Sequence, residues 1–203
     1  ELDLGRWETL RVPLTDLLES RRRYLGQMDL NVASPLVWKF YADTLHMLAG
    51  YGASIVRLDA FAYAHKAVGE RNFLNEPGTW SLLARLQTIA DADGVTLLPE
   101  IHASYGEKVY EKLAAKGYAV YDFFLPGLMI DALERGSADT LAAWAQEILD
   151  KHILTVNMLG CHDGIPMLDL KGLLPEERIQ NLIDLIVTRG GMVKKHTKRA
   201  PKN

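Results

Sequence analysis

Four acidic residues stand where chemistry could be done. Asp59, Glu100, Asp122 and Asp163 each follow a short apolar run at or near its end. Each run has the length of a parallel strand, and in parallel α/β folds the loops that leave the C-terminal strand ends carry the reacting groups. Any one such acid can equally cap the next helix or end a solvated loop, but recurrence at the same end of successive strands favours chemistry. Two carboxylates of this kind can share one reaction, one as a nucleophile and one as a general acid. Arg57 lies two residues before Asp59, so on a strand both side chains point the same way. A guanidinium there suits a nucleophile that must stay charged, or makes a structural ion pair. Glu100 follows Leu97-Leu98-Pro99, an apolar approach that suits an acid. His102, two residues on, lies on the same side, as a hydrogen-bonded structural group or a substrate contact. His162-Asp163-Gly164 ends the fourth run, where the glycine admits a substrate or simply makes a turn. Cys161 beside it reads as a small packed residue rather than a nucleophile. There is no Ser-His-Asp set, no P-loop and no zinc-ligand spacing, so neither a metal nor a cofactor is expected.

These residues need elements to hold them. Ser34-Pro35 reads as an N-cap with proline in the first turn of a helix that Gly50 and Gly52 end. Strands are expected over Ala53–Leu58, Val95–Pro99, Tyr118–Phe124 and Ile153–Leu159, all buried and parallel. Between them the spacing predicts helices over Thr79–Ala92, from the capping box Ser104/Glu107 to Gly117, over Leu128–Arg135 and over Ala138–Lys151. Pro175 opens a last helix running to Gly190-Gly191. The alternation specifies a parallel α/β fold, either half of an eight-stranded barrel or a small open sheet.

Composition narrows the function classes. The 203 residues carry a net charge of −3, which does not suit a nucleic-acid partner. No apolar run reaches the roughly 18 residues of a membrane span. The single cysteine, Cys161, allows no internal disulfide and fits a reducing cytoplasm. Residues 192–203 form a basic tail and residues 1–26 have no clear assignment.

Arg57-Leu58-Asp59-Ala60, Glu100-Ile101-His102 and His162-Asp163-Gly164 resemble three signature blocks of the α-amylase superfamily, glycoside hydrolase family 13, in order and spacing. Arg57 to Lys66, Val120-Tyr121-Asp122-Phe123, His162 to Ile165, Lys171 to Pro175 and Gln27 to Asn31 are similar to its sucrose phosphorylase branch. The resemblance covers residues 27–191 and implies a partial (β/α)8 barrel, strands four to seven with their helices. It implies retaining α-glucosyl transfer from sucrose or a related α-glucoside to phosphate, with Asp59 as nucleophile, Glu100 as acid/base and Asp163 as stabiliser of the transition state. Arg57, His102 and His162 would contact substrate or orient the carboxylates. The partners would then be a small sugar and phosphate. The family's first signature block and the other barrel strands do not match anything in this sequence. Two further expectations follow: a fragment or remodelled piece that does not turn over efficiently alone, and pairing into a homo-oligomer. The alternatives are a half-barrel module without catalysis and, less favoured, an unrelated open α/β sheet binding a small ligand.

Overall fold

The computed structural model describes residues 30–66, 69–70 and 72–193. The unassigned segment 1–26, the entry residues 27–29 and most of the basic tail lie outside the described residues.

The first helix, α1 (Pro35–Gly50), starts as its sequence dictates. The Ser34 hydroxyl accepts a hydrogen bond from the Leu36 N–H, and Pro35 occupies a position that needs no donor. It leads into β1 (Ile55–Leu58), then α2 (Gly78–Ala92) and β2 (Thr96–Pro99). α3 (Val109–Ala114), β3 (Val120–Asp122), α4 (Leu125–Arg135), α5 (Asp139–Asp150), β4 (Thr155–Asn157) and α6 (Glu176–Thr188) complete the chain. Short 3₁₀ turns at Phe61–Tyr63, Tyr105–Glu107 and Met167–Leu170 fill the strand-to-helix connections.

Most helices match their expected spans closely, but the one expected from Ser104 to Gly117 is α-helical only over Val109–Ala114, behind a separate 3₁₀ turn, and the strands are shorter than expected. Nor do the strands form a single sheet. β1 pairs with β2 and β3 with β4, both in parallel, and among the described residues no ladder joins β2 to β3. The chain itself supplies a reason. Thr96 and Glu100 donate their N–H groups to Ser54 and Leu58 of the β1 side. By alternation, residues 97 and 99 face the other edge, where Pro99 has no N–H to donate.

The expectation of four buried strands is also corrected. Leu97 is fully buried and Leu98 nearly so, but Ile55 is 61% exposed, and Leu154 and Leu159 on either side of β4 are exposed. Helices cover one face of each pair, while each of the four strands has a strand neighbour on only one side among the described residues. The core runs beneath the strands from Trp38 and Leu45 through Leu83, Leu86 and Leu97 to Leu128, Trp144 and Leu170. At one end the Arg85 guanidinium lies 3.7 Å over the Trp38 ring. At the other, α6 is tied to α4 by the ion pair of Arg178 with buried Asp131.

Candidate active site

The C-terminal ends of all four strands meet at one cleft. β1 contributes Arg57, β2 is followed by Glu100, and β3 brings Tyr121 with Phe123 just beyond it. The loop after β4 adds Met158, Gly160, Cys161 and His162. The cleft encloses about 400 Å³.

Arg57 is one of the residues that line it. One arm of its guanidinium is 2.6 Å from an Asp59 oxygen, and the other is 2.6 Å from Oε1 of Glu100. The i, i+2 relation on a strand therefore delivers Arg57 to Asp59, as its spacing specifies. The second arm reaches across to the neighbouring strand, a contact that no local spacing announces. The two carboxylates thus share one planar fork, although they differ in setting. The Asp59 side chain is 56% exposed, whereas that of Glu100 is 8% exposed. Burial works against the charge of Arg57, but the hydrogen bonds it donates to Glu100 and Asp59 outweigh it and hold the guanidinium above its ordinary value.

The backbone ties the pair further. Ala60, next to Asp59, sits in the left-handed region at φ +46, uncommon for a residue with a Cβ. In that conformation its N–H donates to Oε2 of Glu100 at 3.0 Å, and the Phe61 N–H donates to the Glu100 carbonyl. The bend after β1 is thereby fastened to the end of β2.

His102 lies beside Glu100, with Nε2 3.5 Å from Oε1. Its other nitrogen is 3.2 Å from Asp169, and its ring stacks on Phe123 at 3.9 Å. The bond to Asp169 raises the His102 pKa against the opposing effect of burial, and the charges of Asp169 and Glu100 add to the rise. Asp169 was not legible in the sequence, because it reaches the site through the fold and sits in no recognised pattern; Tyr121 and Phe123 lie in a recognised stretch, but nothing in it gave them a place at the site.

Asp163 and His162 lie apart from this cluster. They pair with each other at 3.3 Å and are both well exposed; of the two, His162 lines the cleft. They ride on a turn closed by mutual bonds between Cys161 and Gly164. Gly164 has φ +96, and open space surrounds the position where its Cβ would be. The glycine thus serves the turn, and no close approach requires it. Cys161 is exposed and faces the cleft, which corrects the expectation of a packed residue. Its sulfur, a His162 nitrogen and an Asp163 oxygen lie within 4.8 Å of one another, a spacing that could hold a cation and that the sequence did not suggest.

Asp122 resolves as structural. It is buried, accepts from the Trp144 indole and from the N–H groups of Phe124 and Leu125, and so anchors the start of α4. Burial pushes its pKa up despite these bonds.

No family model matches the chain. Individual relatives do. It is 56% identical over 185 residues to the sucrose 6(F)-phosphate phosphorylase of Ilumatobacter coccineus, covering 88% of this chain and 35% of that protein. It is 39% identical over 153 residues to the sucrose phosphorylase of Streptococcus mutans, covering 75% and 31%. The crystal structure of sucrose 6F-phosphate phosphorylase from Thermoanaerobacter thermosaccharolyticum superimposes with a TM-score of 0.73 at 34% identity, over 79% of this chain and 32% of that one. With identities of this size and a shared fold, the chain is a member of the sucrose phosphorylase branch of the α-amylase superfamily, and it spans about a third of the length of the curated relatives it matches.

Proposed function

We propose that the chain is the part of a retaining α-glucosyl transferase that carries the reacting carboxylates, corresponding to barrel strands four to seven, with sucrose or its 6-phosphate as donor and phosphate as acceptor. The carrying observation is the Arg57 fork, which draws Asp59, just beyond β1, and Glu100, just beyond β2, onto one guanidinium at the edge of the cleft that Arg57 and Glu100 line. In the first step an Asp59 oxygen bonds to the anomeric carbon as the bond to the leaving oxygen breaks. Glu100 gives that oxygen its proton. In the second step a phosphate oxygen bonds to the same carbon, the ester to Asp59 breaks, and Glu100 takes the phosphate's proton. Two inversions give net retention, and such pairs stand about 5–5.5 Å apart. His162 and Asp163 would hold sugar hydroxyls from the loop after β4, and His102 would line the acceptor side.

A second reading has support of its own. The Asp163 side chain is 66% exposed and has His162 as its close partner, so the sugar subsite is open on that side. A module that folds and pairs with a second copy without efficient turnover fits this exposure.

The deciding experiment measures phosphorolysis of sucrose and sucrose 6-phosphate by the protein and by a chimera. In the chimera residues 30–193 replace the matching stretch of the Ilumatobacter coccineus enzyme. The chimera is expected to turn over and to lose activity with Asp59→Asn, since an amide cannot form the ester. A folded chimera without activity, or one indifferent to Asp59→Asn, would overturn the assignment.

A further inference from the structure

Asp169 lies outside the three signature blocks. It sits on the 3₁₀ turn Met167–Leu170, between Met167 and the fully buried Leu170. Its side chain is 14% exposed. A carboxylate at such a site normally has a definite partner. Its partner is Nδ1 of His102 at 3.2 Å. The imidazole is held from two further directions, by the Phe123 ring stacked on it at 3.9 Å and by Oε1 of Glu100 facing Nε2 at 3.5 Å. The ring therefore has a fixed plane, a fixed end toward Asp169 and a fixed end toward Glu100. The turn that carries Asp169 is held in its turn by α4. The Cβ position of Gly127 would lie 2.4 Å from Leu170 Cδ1, so the helix and the turn are in direct contact there.

We infer that Asp169 is a positioning residue for glucosyl transfer, holding His102 so that Nε2 presents to the acid/base oxygen of Glu100. The role is that of a second carboxylate orienting an imidazole, as outer partners do wherever a histidine must present one chosen nitrogen. Oε2 of Glu100 is engaged by the Ala60 N–H, so Oε1 is the oxygen on which His102 and Arg57 converge. Setting the imidazole sets the surroundings of that oxygen. The charged groups bearing on the pair are Glu100 and Asp169 on His102, Glu107 on Asp169, and Arg57 through Glu100. Burial pushes the Asp169 pKa up while the His102 charge pulls it down, so each partner favours the ionised form of the other.

The role presupposes Glu100 as acid/base, and the test separates the two claims. NMR of the full chain follows the His102 ring through pH in the wild type, in Asp169→Asn and in Asp169→Glu. The wild-type midpoint is expected above the ordinary value of about 6.5. Asp169→Asn should bring it down by about one unit or more, as loss of an adjacent opposite charge does. Asp169→Glu should restore much of the rise. In the chimera, Asp169→Asn should lower turnover of sucrose tenfold or more and turnover of α-glucosyl fluoride far less, because only sucrose needs the Glu100 proton. A structural defect would lower both equally. A wild-type His102 titrating at or below 6.5, a midpoint unmoved by Asp169→Asn, or equal losses on both donors would each overturn the inference. Should Asp169→Asn not fold, the wild-type midpoint and Asp169→Glu still decide it. An inactive parent chimera sinks the functional reading and this role with it. An active one with an unmoved His102 sinks the role alone.

Discussion

At the scale of the residue, the proposed chemistry rests on one arginine that contacts two acids. Glutamine at position 100 keeps the shape and removes the proton. Glu100→Gln in the active chimera is expected to slow transfer from sucrose by about 10²–10⁴-fold and transfer from α-glucosyl fluoride much less, the range typical of a lost general acid. Steady-state rates with both donors check this, and equal losses would deny Glu100 the role. Arg57→Lys tests the fork. Lysine keeps the charge but is a point donor, so it cannot bridge Asp59 and Glu100 in one plane. Its kcat/KM should fall at least tenfold, and a fully active variant would show that charge alone suffices. Half of this site was legible from local spacing. The alternation of a strand places Arg57 on Asp59 and Glu100 beside His102. The reach of Arg57 to Glu100 and of His102 to Asp169 was not legible, because those contacts depend on how two strands and a distant turn come together.

At the scale of the element, capping chemistry was read well and strand length badly. Ser34-Pro35 and the flanking glycines fix α1 by local rules. Parallel strands of three or four residues leave apolar neighbours on both sides that look like strand. The capping box at Ser104 is present, yet it opens only a 3₁₀ turn, since Lys108 turns left-handed at φ +54 before α3 begins. Lys108 is held there over the Tyr105 ring at 3.3 Å and against the Tyr110 hydroxyl. The same cluster holds Glu147 of α5, which accepts from Tyr105 and Tyr110 and pairs with Lys151. Burial pushes the Glu147 pKa up, but Lys151 and the two hydroxyls override it and bring it from 4.5 down to about 2. The folded value lies below the unfolded one, so this contribution to stability is complete above about pH 4.5 and is lost as the pH falls toward 2. Urea unfolding between pH 6 and pH 2 should show a smaller loss of stability on acidification in Glu147→Gln than in the wild type, and parallel curves would contradict it. Gly127 offers a second test. In an open helix, Gly→Ala gains up to about 1 kcal/mol. Here the added methyl would lie 2.4 Å from Leu170, which is fully buried. Overpacking of this kind costs about 1–3 kcal/mol, so Gly127→Ala should lower the melting temperature rather than raise it. Leu170→Val, which withdraws the opposing carbon, should recover part of the loss in the double variant.

At the scale of the molecule, the sequence specified four parallel strands in order with their ends at one cleft, and it did not specify how their flanks are covered. The open surface carries apolar side chains. Leu36, Phe40 and Met47 recur at helical spacing along one face of α1 and Tyr51 follows at its end, with Leu36 75% and Tyr51 80% exposed, and Ile55 of β1 is exposed as well. Leu154 and Leu159 are exposed on either side of β4. Exposed apolar faces can mark interfaces, and an unpaired strand edge invites another chain. Two copies offering these faces to each other would bury them, which makes a homodimer or larger assembly the expected state of the chain in water. Light scattering should therefore report a mass of at least two chains at micromolar concentration. Leu36→Lys with Phe40→Glu should shift the population toward monomer, since both positions lie on α1, far in sequence from the Arg57 fork. Pairing of this kind covers the flanks but adds nothing to the open side of Asp163, and transition-state stabilisation needs every donor in place. Phosphorolysis by the chain alone should thus fall far below that of the chimera even in the assembled state. A monomer with turnover matching the chimera would mean that the Arg57 fork and its two carboxylates suffice without a closed sugar subsite.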